Sequence, residues 1–344
     1  MITSITLDNK LGGIASSLVS YSKALNLKGI KHHIILPNNT AITETLASLP
    51  NVTIHPLSKL SLKLHLALQL TFKPNIKKLL KDSKLVLVHN AKILTSVSKH
   101  TSKCALINHS GKLRGLKHSP MNIFITRAGM ARFQQAYPVL SSASYVINHG
   151  FEASHDGSLE LIERTQEDFT IIAAGRFVPK KGFIDLLKAA KILTDKGLKF
   201  KMKIFGDGKL KQNLESFINE NNLDQVTLMG WSDKLKDEFI KGDIFCIPSH
   251  QEPFGLIIGE AMLAGLPVVS TKTDGGLEIF GEEDAEGKGG ILVEIESPDK
   301  IAEAIEKLMD EEKRITLANN AKNNIESNFC LENLATNLSK LINE

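Results

Sequence analysis

The stretch HQEPFGLIIGEAMLAGLPVVS, residues 250–270, places two glutamates eight positions apart around a short apolar run. Gly255 allows close backbone approach, and the residues after it follow the mainly apolar pattern of a helix. The following AGLP sequence contains the glycine and proline that end such a helix before a strand. We therefore predict that Glu252 lies in a loop and that Glu260 lies about a turn and a half into the helix.

The start of this predicted helix is suited to an anion, because its first N–H groups have no partner within the helix. Eight residues at helical rise span roughly 12 Å, and the partial loop shortens that separation. The spacing fits a nucleotide diphosphate sugar, with one carboxylate for each hydroxylated ring and the amides near Gly255 for the phosphates. Two glutamates eight apart also occur by chance on amphipathic helices, so the interpretation depends on the rest of the chain.

Length and composition indicate a globular protein of two domains, since 344 residues exceed the usual size of one. No apolar run of about 18 residues occurs, and the N-terminus lacks the pattern of a secretory signal. Cys104, Cys246 and Cys330 are widely spaced and belong to no metal-binding or CxxC pattern. We expect all three to be reduced and buried in a cytoplasmic protein.

Charge is distributed unevenly along the chain. Residues 1–160 hold 19 Lys and Arg against 6 Asp and Glu, a net charge of +13, and the remainder holds 23 against 32, a net charge of −9. The basic half suggests an anionic partner, such as membrane lipid, a phosphorylated glycan or nucleic acid, although solubility alone could explain it. Residues 57–84 carry seven lysines and one acid among many leucines, which is typical of a membrane-surface helix or of an ordinary surface helix with one core face.

Short apolar runs alternate with helical patterns through both halves, which predicts an α/β fold with parallel sheets. A polar boundary at residues 151–168 separates them. Ligands gather at the carboxyl ends of strands in such sheets. His89 and His109 each end a predicted strand and are placed for this role, although a histidine there is often only a polar cap.

The second half resembles the nucleotide-sugar domain of retaining GT-B glycosyltransferases, the large family 4 (glycosyl transferases group 1) in particular. The resemblance rests on five stretches in order over about 110 residues: AAGRFVPKKG (173–182), IFGDGKLK (204–211), VTLMGW (226–231), DIFCIPSHQEPFGLIIGEAMLAGLPVVST (243–271) and DGGLEIF (274–280). It implies two facing Rossmann-like doubly wound domains with a cleft between them. These would be an acceptor domain at residues 1–160, a donor domain at 161–325, and a C-terminal helix at 326–344 that packs back on the first domain.

The resemblance also implies roles for particular residues. Arg176 and Lys181 would bind the diphosphate and stabilise the leaving phosphate. Glu260 would accept hydrogen bonds from the ribose, and Glu252 would face the transferred sugar. A strand-end histidine would contact that sugar, with His109 preferred to His89. The remaining expected donor-binding positions are Gly12 and Gly13, whose backbone would approach the phosphates; Phe254, Gly255 and Leu256, whose amides would meet the distal phosphate; and Gly206, Gly230 and Trp231, which would border the base.

The predicted reaction is transfer of a sugar, with retention, from a nucleotide diphosphate sugar to a hydroxyl of a glycan or lipid-linked, anionic acceptor. Lipopolysaccharide or another envelope polysaccharide is the expected setting, at the inner face of the plasma membrane. No cofactor is expected, and no metal either, because no DxD pair is present to hold one. The alternatives are a non-catalytic sugar-nucleotide-binding protein and a sugar-nucleotide epimerase on the same architecture. Nucleic-acid binding lacks interleaved aromatic residues and a recognition motif.

Overall fold

The chain divides into two compact units, one formed by Met1–Glu152 with Phe329–Glu344 and the other by Ala153–Asn328. We call them the first unit and the second unit. A computed structural model describes residues 1–9, 12–38, 40–58, 72–113, 115–140, 143–152 and 169–343.

A parallel seven-stranded sheet forms the centre of the first unit, in the order β3-β2-β1-β4-β5-β6-β7. Its strands are β1 (Ile2–Ile5), β2 (His32–Pro37), β3 (Val52–Leu57), β4 (Leu85–Val88), β5 (Cys104–Asn108), β6 (Met121–Phe124) and β7 (Ala143–Val146). The described helices of this unit are α1 (Gly13–Leu27), α2 (Thr43–Ala47), α3 (Pro74–Asp82), α4 (Ala91–Ser98), α5 (Arg127–Ala136) and α13 (Leu331–Asn343).

Helices cover both faces of this sheet, so its inner strands are buried along most of their length rather than at alternate positions. In β2, Ile34 and Leu36 pack with Leu18 of α1, whereas Ile35 between them joins a separate apolar cluster that includes Leu80 of α3. The two clusters are the cores on the two faces, because successive strand residues point in opposite directions. Helix α13 packs against α1.

A parallel six-stranded sheet forms the centre of the second unit, in the order β10-β9-β8-β11-β12-β13. Its strands are β8 (Thr170–Ala174), β9 (Lys201–Phe205), β10 (Val226–Gly230), β11 (Ile244–Ile247), β12 (Val268–Thr271) and β13 (Gly290–Val293). Its described helices are α6 (Phe183–Asp195), α7 (Lys211–Glu220), α8 (Leu235–Phe239), α9 (Leu256–Leu263), α10 (Asp274–Phe280), α11 (Pro298–Lys307) and α12 (Glu311–Asn328).

Both sheets have the strand order of doubly wound folds, and the predicted α/β class with two Rossmann-like sheets is confirmed. In each sheet the first strand of the unit lies beside the fourth: β1 beside β4, and β8 beside β11. The direction of winding changes at these pairs, and their carboxyl ends leave a crevice where ligands bind in this class of fold. The loops after β8 and β11 are therefore the first place to look for a site in the second unit.

Some expectations need correction or fall outside the described residues. Cys104 and Cys246 are buried and free as predicted, but Cys330 is only partly buried, because it lies where the chain enters α13. Within the basic segment 57–84, residues 59–71 lie outside the described residues, as do 153–168 of the predicted boundary. In the described part, α3 buries Ile76 and Leu80 in the core and leaves Lys73, Lys78 and Lys81 exposed. None of the described helices is long and apolar enough to cross a membrane.

Candidate functional site

The loops after β8, β9 and β10 are joined through glycine backbone. The N–H of Gly175 donates to the carbonyl of Phe205 at 2.9 Å, and the N–H of Gly206 donates to the carbonyl of Gly230 at 2.8 Å. A Cβ at Gly206, where φ is +150°, would lie 1.9 Å from the carbonyl oxygen of Gly175. Glycine is required at this position because no side chain fits between the two loops.

Lys181 and Glu252 form an ion pair between the loop after β8 and the loop after β11. The Nζ of Lys181 donates to Oε2 of Glu252, and both side chains are largely buried, with exposed fractions of 16% and 12%. The two residues flank the β8–β11 crevice. The structure thus brings together two groups that the sequence analysis assigned to the diphosphate and to the sugar.

The loop that carries Glu252 is fixed on both sides. The backbone carbonyl of Glu252 accepts a hydrogen bond from the N–H of Gly275 at 2.9 Å, and a Cβ at Gly275 would lie 2.1 Å from the carbonyl oxygen of Phe254. Gly255 then caps α9 in a left-handed conformation, with φ +85°. The free amides at the start of α9, including that of Leu256, follow directly, and they form the predicted anion-binding end of the helix.

Glu260 was predicted about a turn and a half into the helix, and it is the fifth residue of α9, in a half-buried position. Burial raises the pKa of its carboxyl, and the nearby charge of Lys236 acts in the opposite direction. Among the described residues its side chain has no hydrogen bond or ion pair. A carboxylate that loses solvent without gaining a donor is available to accept hydrogen bonds from a ligand's hydroxyls.

Two further predicted residues of the second unit, Arg176 and Trp231, are exposed. Arg176 follows β8, and its exposed guanidinium makes no hydrogen bond or ion pair with the described residues. Trp231, just after Gly230, is 67% exposed. An exposed cation just after one strand and an exposed aromatic ring at the end of another are suited to a phosphate and a nucleobase.

In the first unit, Gly12 and Gly13 begin α1, and a Cβ on either would meet nothing within 4 Å. The packing of the described chain therefore does not require glycine at these positions. The space above the first turn of α1 is open, as close approach of a ligand would need.

Three histidine rings stack at the carboxyl end of the first sheet. Nδ1 of His89 lies 2.9 Å from Nε2 of His109, and the two rings are nearly parallel with centroids 5.1 Å apart. The ring of His149 is also nearly parallel to that of His109, with centroids 5.8 Å apart. His89 is 3% exposed and His109 is half-buried, so His109 offers the more accessible ring.

Burial is the main cause of the low proton affinity of this stack. It lowers the pKa of His89 to about 3 and that of His149 to about 4, and it lowers the pKa of His109 well below its usual value, with further contributions from the other two rings. His109 is therefore neutral at physiological pH and can offer a ligand hydrogen bonds but not a positive charge. No role was predicted for His149, although it lies just beyond β7 as His89 and His109 lie just beyond β4 and β5, and this position was the available signal.

A second group escaped the sequence analysis: His250, two residues before Glu252. Its Nε2 lies 2.6 Å from Oδ2 of Asp185, in the first turn of α6. No spacing along the chain signals this contact, since the two residues are 65 positions apart.

Within the described ranges, no group of three or more His, Cys, Asp or Glu side chains is placed to hold a metal ion.

Comparisons with known proteins point to one kind of enzyme. Residues 161–326 match the family model for Glycosyl transferases group 1. The uncharacterized glycosyltransferase MJ1178 of Methanocaldococcus jannaschii is 36% identical over 151 residues, which are 43% of this chain and 40% of that protein. The lipopolysaccharide core biosynthesis glycosyltransferase LpsE of Rhizobium meliloti is 30% identical over 164 residues, which are 47% of this chain and 46% of that protein. The matched part thus spans less than half the length of these relatives.

The whole chain resembles solved structures of low sequence identity. A mutant of TarM from S. aureus, in complex with fondaparinux, alpha-GlcNAc-glycerol and UDP, matches with a TM-score of 0.78 at 15% identity, over 100% of this chain and 99% of that chain. At this identity the likeness shows the fold alone, which is the GT-B fold.

Proposed function

We propose that this protein is a retaining glycosyltransferase whose second unit binds a nucleotide diphosphate sugar. The observation that carries the proposal is the Lys181–Glu252 ion pair at the β8–β11 crevice, with the unpartnered Glu260 one turn into the adjacent helix. In a diphosphate that joins two hydroxylated rings, a cation can bind the diphosphate and one carboxylate can bind the hydroxyls of each ring. The match of residues 161–326 to Glycosyl transferases group 1 supports this assignment.

The ion pair gives donor binding a definite first step. A diphosphate carries more negative charge than one carboxylate, so it competes with Glu252 for the ammonium of Lys181. Once Lys181 turns to the phosphate, Glu252 is left with little solvent and accepts hydrogen bonds from the hydroxyls of the sugar instead. Arg176 adds a second cation, the amides at the start of α9 meet the distal phosphate, and Glu260 holds the ribose.

Retention at the anomeric carbon is proposed to follow from attack on the face that the diphosphate leaves. The acceptor oxygen forms a bond to the anomeric carbon as the bond from that carbon to the phosphate oxygen breaks. The acceptor's proton passes to that phosphate oxygen, and the products are a glycoside and a nucleoside diphosphate. Arg176 and Lys181 stabilise the charge that develops on the leaving phosphate, so the proposed reaction uses no metal ion.

The first unit is assigned to the acceptor, with His109 as the group that contacts the transferred sugar and Gly12 and Gly13 as the backbone that approaches the phosphates. Its net positive charge suits an anionic glycan or lipid-linked acceptor at a cytoplasmic membrane surface. LpsE, named for lipopolysaccharide core biosynthesis, supports an envelope-polysaccharide setting. Because α3 buries Ile76 and Leu80 in the core, it would touch a membrane through its exposed polar face, which carries Lys78 and Lys81.

The stereochemistry can be tested without knowing the acceptor, because water can replace it slowly. Proton NMR of UDP-glucose, UDP-N-acetylglucosamine and GDP-mannose incubated with the protein should show the α-anomer of one free sugar before mutarotation. First appearance of the β-anomer would contradict retention. Absence of both cleavage and nucleotide binding would favour a non-enzymatic function.

A further inference from the structure

His250 connects the two loops that carry Lys181 and Glu252. Its backbone N–H donates to the carbonyl of Lys180 at 2.9 Å, and its ring Nε2 lies 2.6 Å from Oδ2 of Asp185. The backbone and the side chain of one residue therefore hold the same segment, on either side of Lys181. The backbone bond runs from the loop after β11 to the loop after β8, and the side-chain bond runs from the same loop to the first turn of α6.

The two loops are also in direct contact at Gly182. A Cβ there would lie 1.9 Å from the carbonyl oxygen of Pro248 and 3.1 Å from Cδ2 of His250. The residue has φ +65°, a conformation that favours glycine. The position of Lys181 relative to Glu252 is therefore set by backbone contact on one side and by the His250–Asp185 hydrogen bond on the other.

Asp185 depends on His250 for its hydrogen bond. The residue is 7% exposed, and its other described neighbour of opposite charge, Lys188, is 3.6 Å away with a half-exposed side chain. An ionised carboxylate only accepts hydrogen bonds, so Nε2 of His250 carries the proton. Glu296, on the opposite side of the ring, is 3.5 Å from Nδ1 and 70% exposed, which makes it the weaker contact.

We propose that His250 is a positioning residue of the donor site, which holds Lys181 against Glu252 through its hydrogen bond to Asp185. The inference rests on the proposed function, because the pair it positions is the proposed diphosphate and sugar site. A displacement of about 1 Å at such a site can lower the rate on the order of a hundredfold.

Two amide substitutions distinguish the contribution of Nε2 of His250 from that of Nδ1. In His250→Gln the amide nitrogen reaches the place of Nε2 and can still donate to Asp185, whereas in His250→Asn it lies near the place of Nδ1 and cannot. Binding is measured by calorimetry with UDP, GDP and ADP, and the one that binds the wild-type protein most tightly serves as probe. We expect His250→Gln to keep the wild-type Kd within about threefold and His250→Asn to weaken it on the order of tenfold or more. Glu296→Ala is the control on the other side of the ring and should leave the Kd unchanged.

A double-mutant cycle shows whether the effect passes through Lys181. In the Lys181→Met background, His250→Asn should change the Kd no further, because the positioned group is already absent. An additive effect, or a lower Tm with an unchanged Kd in the single variant, would mean that His250 only supports the fold. If the wild-type protein binds none of the three nucleotides, the proposed function fails and the inference with it.

Should His250→Asn fail to fold, Asp185→Asn provides the same test from the other partner. Its amide oxygen still accepts a hydrogen bond, but without the charge that strengthens it. Weaker probe binding is the expected result, and a wild-type Kd would overturn the inference.

Discussion

Lys181 and Glu252 form an ion pair although 71 positions separate them in the chain. They meet because β8 and β11 are neighbours in a parallel sheet, so the loops that follow these strands emerge side by side. Each charged group is mostly shielded from solvent and has the other as its partner. The pair couples the stability of the second unit to its proposed function.

Removing Lys181 should cost both stability and binding. Lys181→Met leaves Glu252 mostly buried without its cation, which we expect to lower the free energy of unfolding by about 1–3 kcal/mol. The double variant Lys181→Met with Glu252→Gln should recover most of that loss but not nucleotide binding. Urea denaturation and calorimetry on the same samples separate the two effects. The exposed neighbour variant Lys180→Ala should change neither, and recovery of binding in the double variant would contradict the assignment.

Glu260→Gln should stabilise the protein and weaken the binding of nucleotides. Burial raises the pKa of this carboxyl, so the ionised form is unfavourable in the folded state. The resulting loss of stability begins as the pH rises past the unfolded-state pKa and is complete above the folded-state pKa. The uncharged amide removes that cost, so the Tm at pH 7 should rise. Loss of charge-assisted hydrogen bonds to the ribose should weaken binding about 10- to 100-fold. A variant with a lower Tm and unchanged binding would indicate a structural role.

Gly182→Ala should disturb the site by more than the strain of alanine in a left-handed backbone conformation accounts for. Gly197 provides a matched control, since its φ of +71° is similar to the +65° of Gly182 and a Cβ there would meet nothing within 4 Å. Alanine at either position should cost about 1 kcal/mol for the left-handed conformation. The contact with the carbonyl of Pro248 should add about 1–3 kcal/mol at Gly182 and weaken nucleotide binding as well. Equal effects of the two variants in thermal denaturation and calorimetry would show that the loops can separate freely.

Acid should destabilise the first unit. Burial lowers the pKa of His32 and His89 to about 3 and that of His149 to about 4, from 6.5. The unfolded chain therefore takes up protons below about pH 6.5 that the folded chain does not accept until pH 4 or lower. The contribution of these histidines to the stability of the unit is complete above about pH 6.5. It falls by about 1.4 kcal/mol per pH unit for each histidine as the pH drops from the unfolded-state pKa towards the folded-state pKa.

Hydrogen exchange followed by mass spectrometry at pH 7.0, 6.0 and 5.0, corrected for the intrinsic rate, measures this effect in each unit separately. Protection should fall in the strands of the first unit first. In the described part of the second unit His250 is the one histidine, so that unit is the internal control. Equal protection of the first unit at pH 7.0 and 5.0 would contradict the prediction.

Local patterns were sufficient to predict most strands and the helix after Gly255. Buried strands such as Leu85–Val88 are apolar at every position, which is a signal that a short window contains. The sequence analysis assigned no strand to Val52–Leu57 or to Met121–Phe124. The first is an edge strand with a proline and mostly incomplete burial, and the apolar run of the second is interrupted by the polar Asn122.

The partners of the site residues could not be predicted in the same way. Lys181 and Glu252 were each singled out, but their ion pair depends on which strands are neighbours in the sheet. The hydrogen bond from His250 to Asp185 joins a loop to a helix and leaves no local pattern. The stacking of His149 on His109 is likewise a long-range contact that no local pattern shows.

The measurement that tests the central claim most directly is a thermal-shift panel of UDP, GDP, ADP, CMP and their sugars, with Glu260→Ala beside the wild-type protein. We predict that one nucleoside diphosphate and its sugar raise the Tm of the wild-type protein, and that the increase is lost or much smaller in the variant. Folded wild-type protein that responds to none of these nucleotides, or a variant that responds equally, would contradict a nucleotide-sugar site at Glu252 and Glu260.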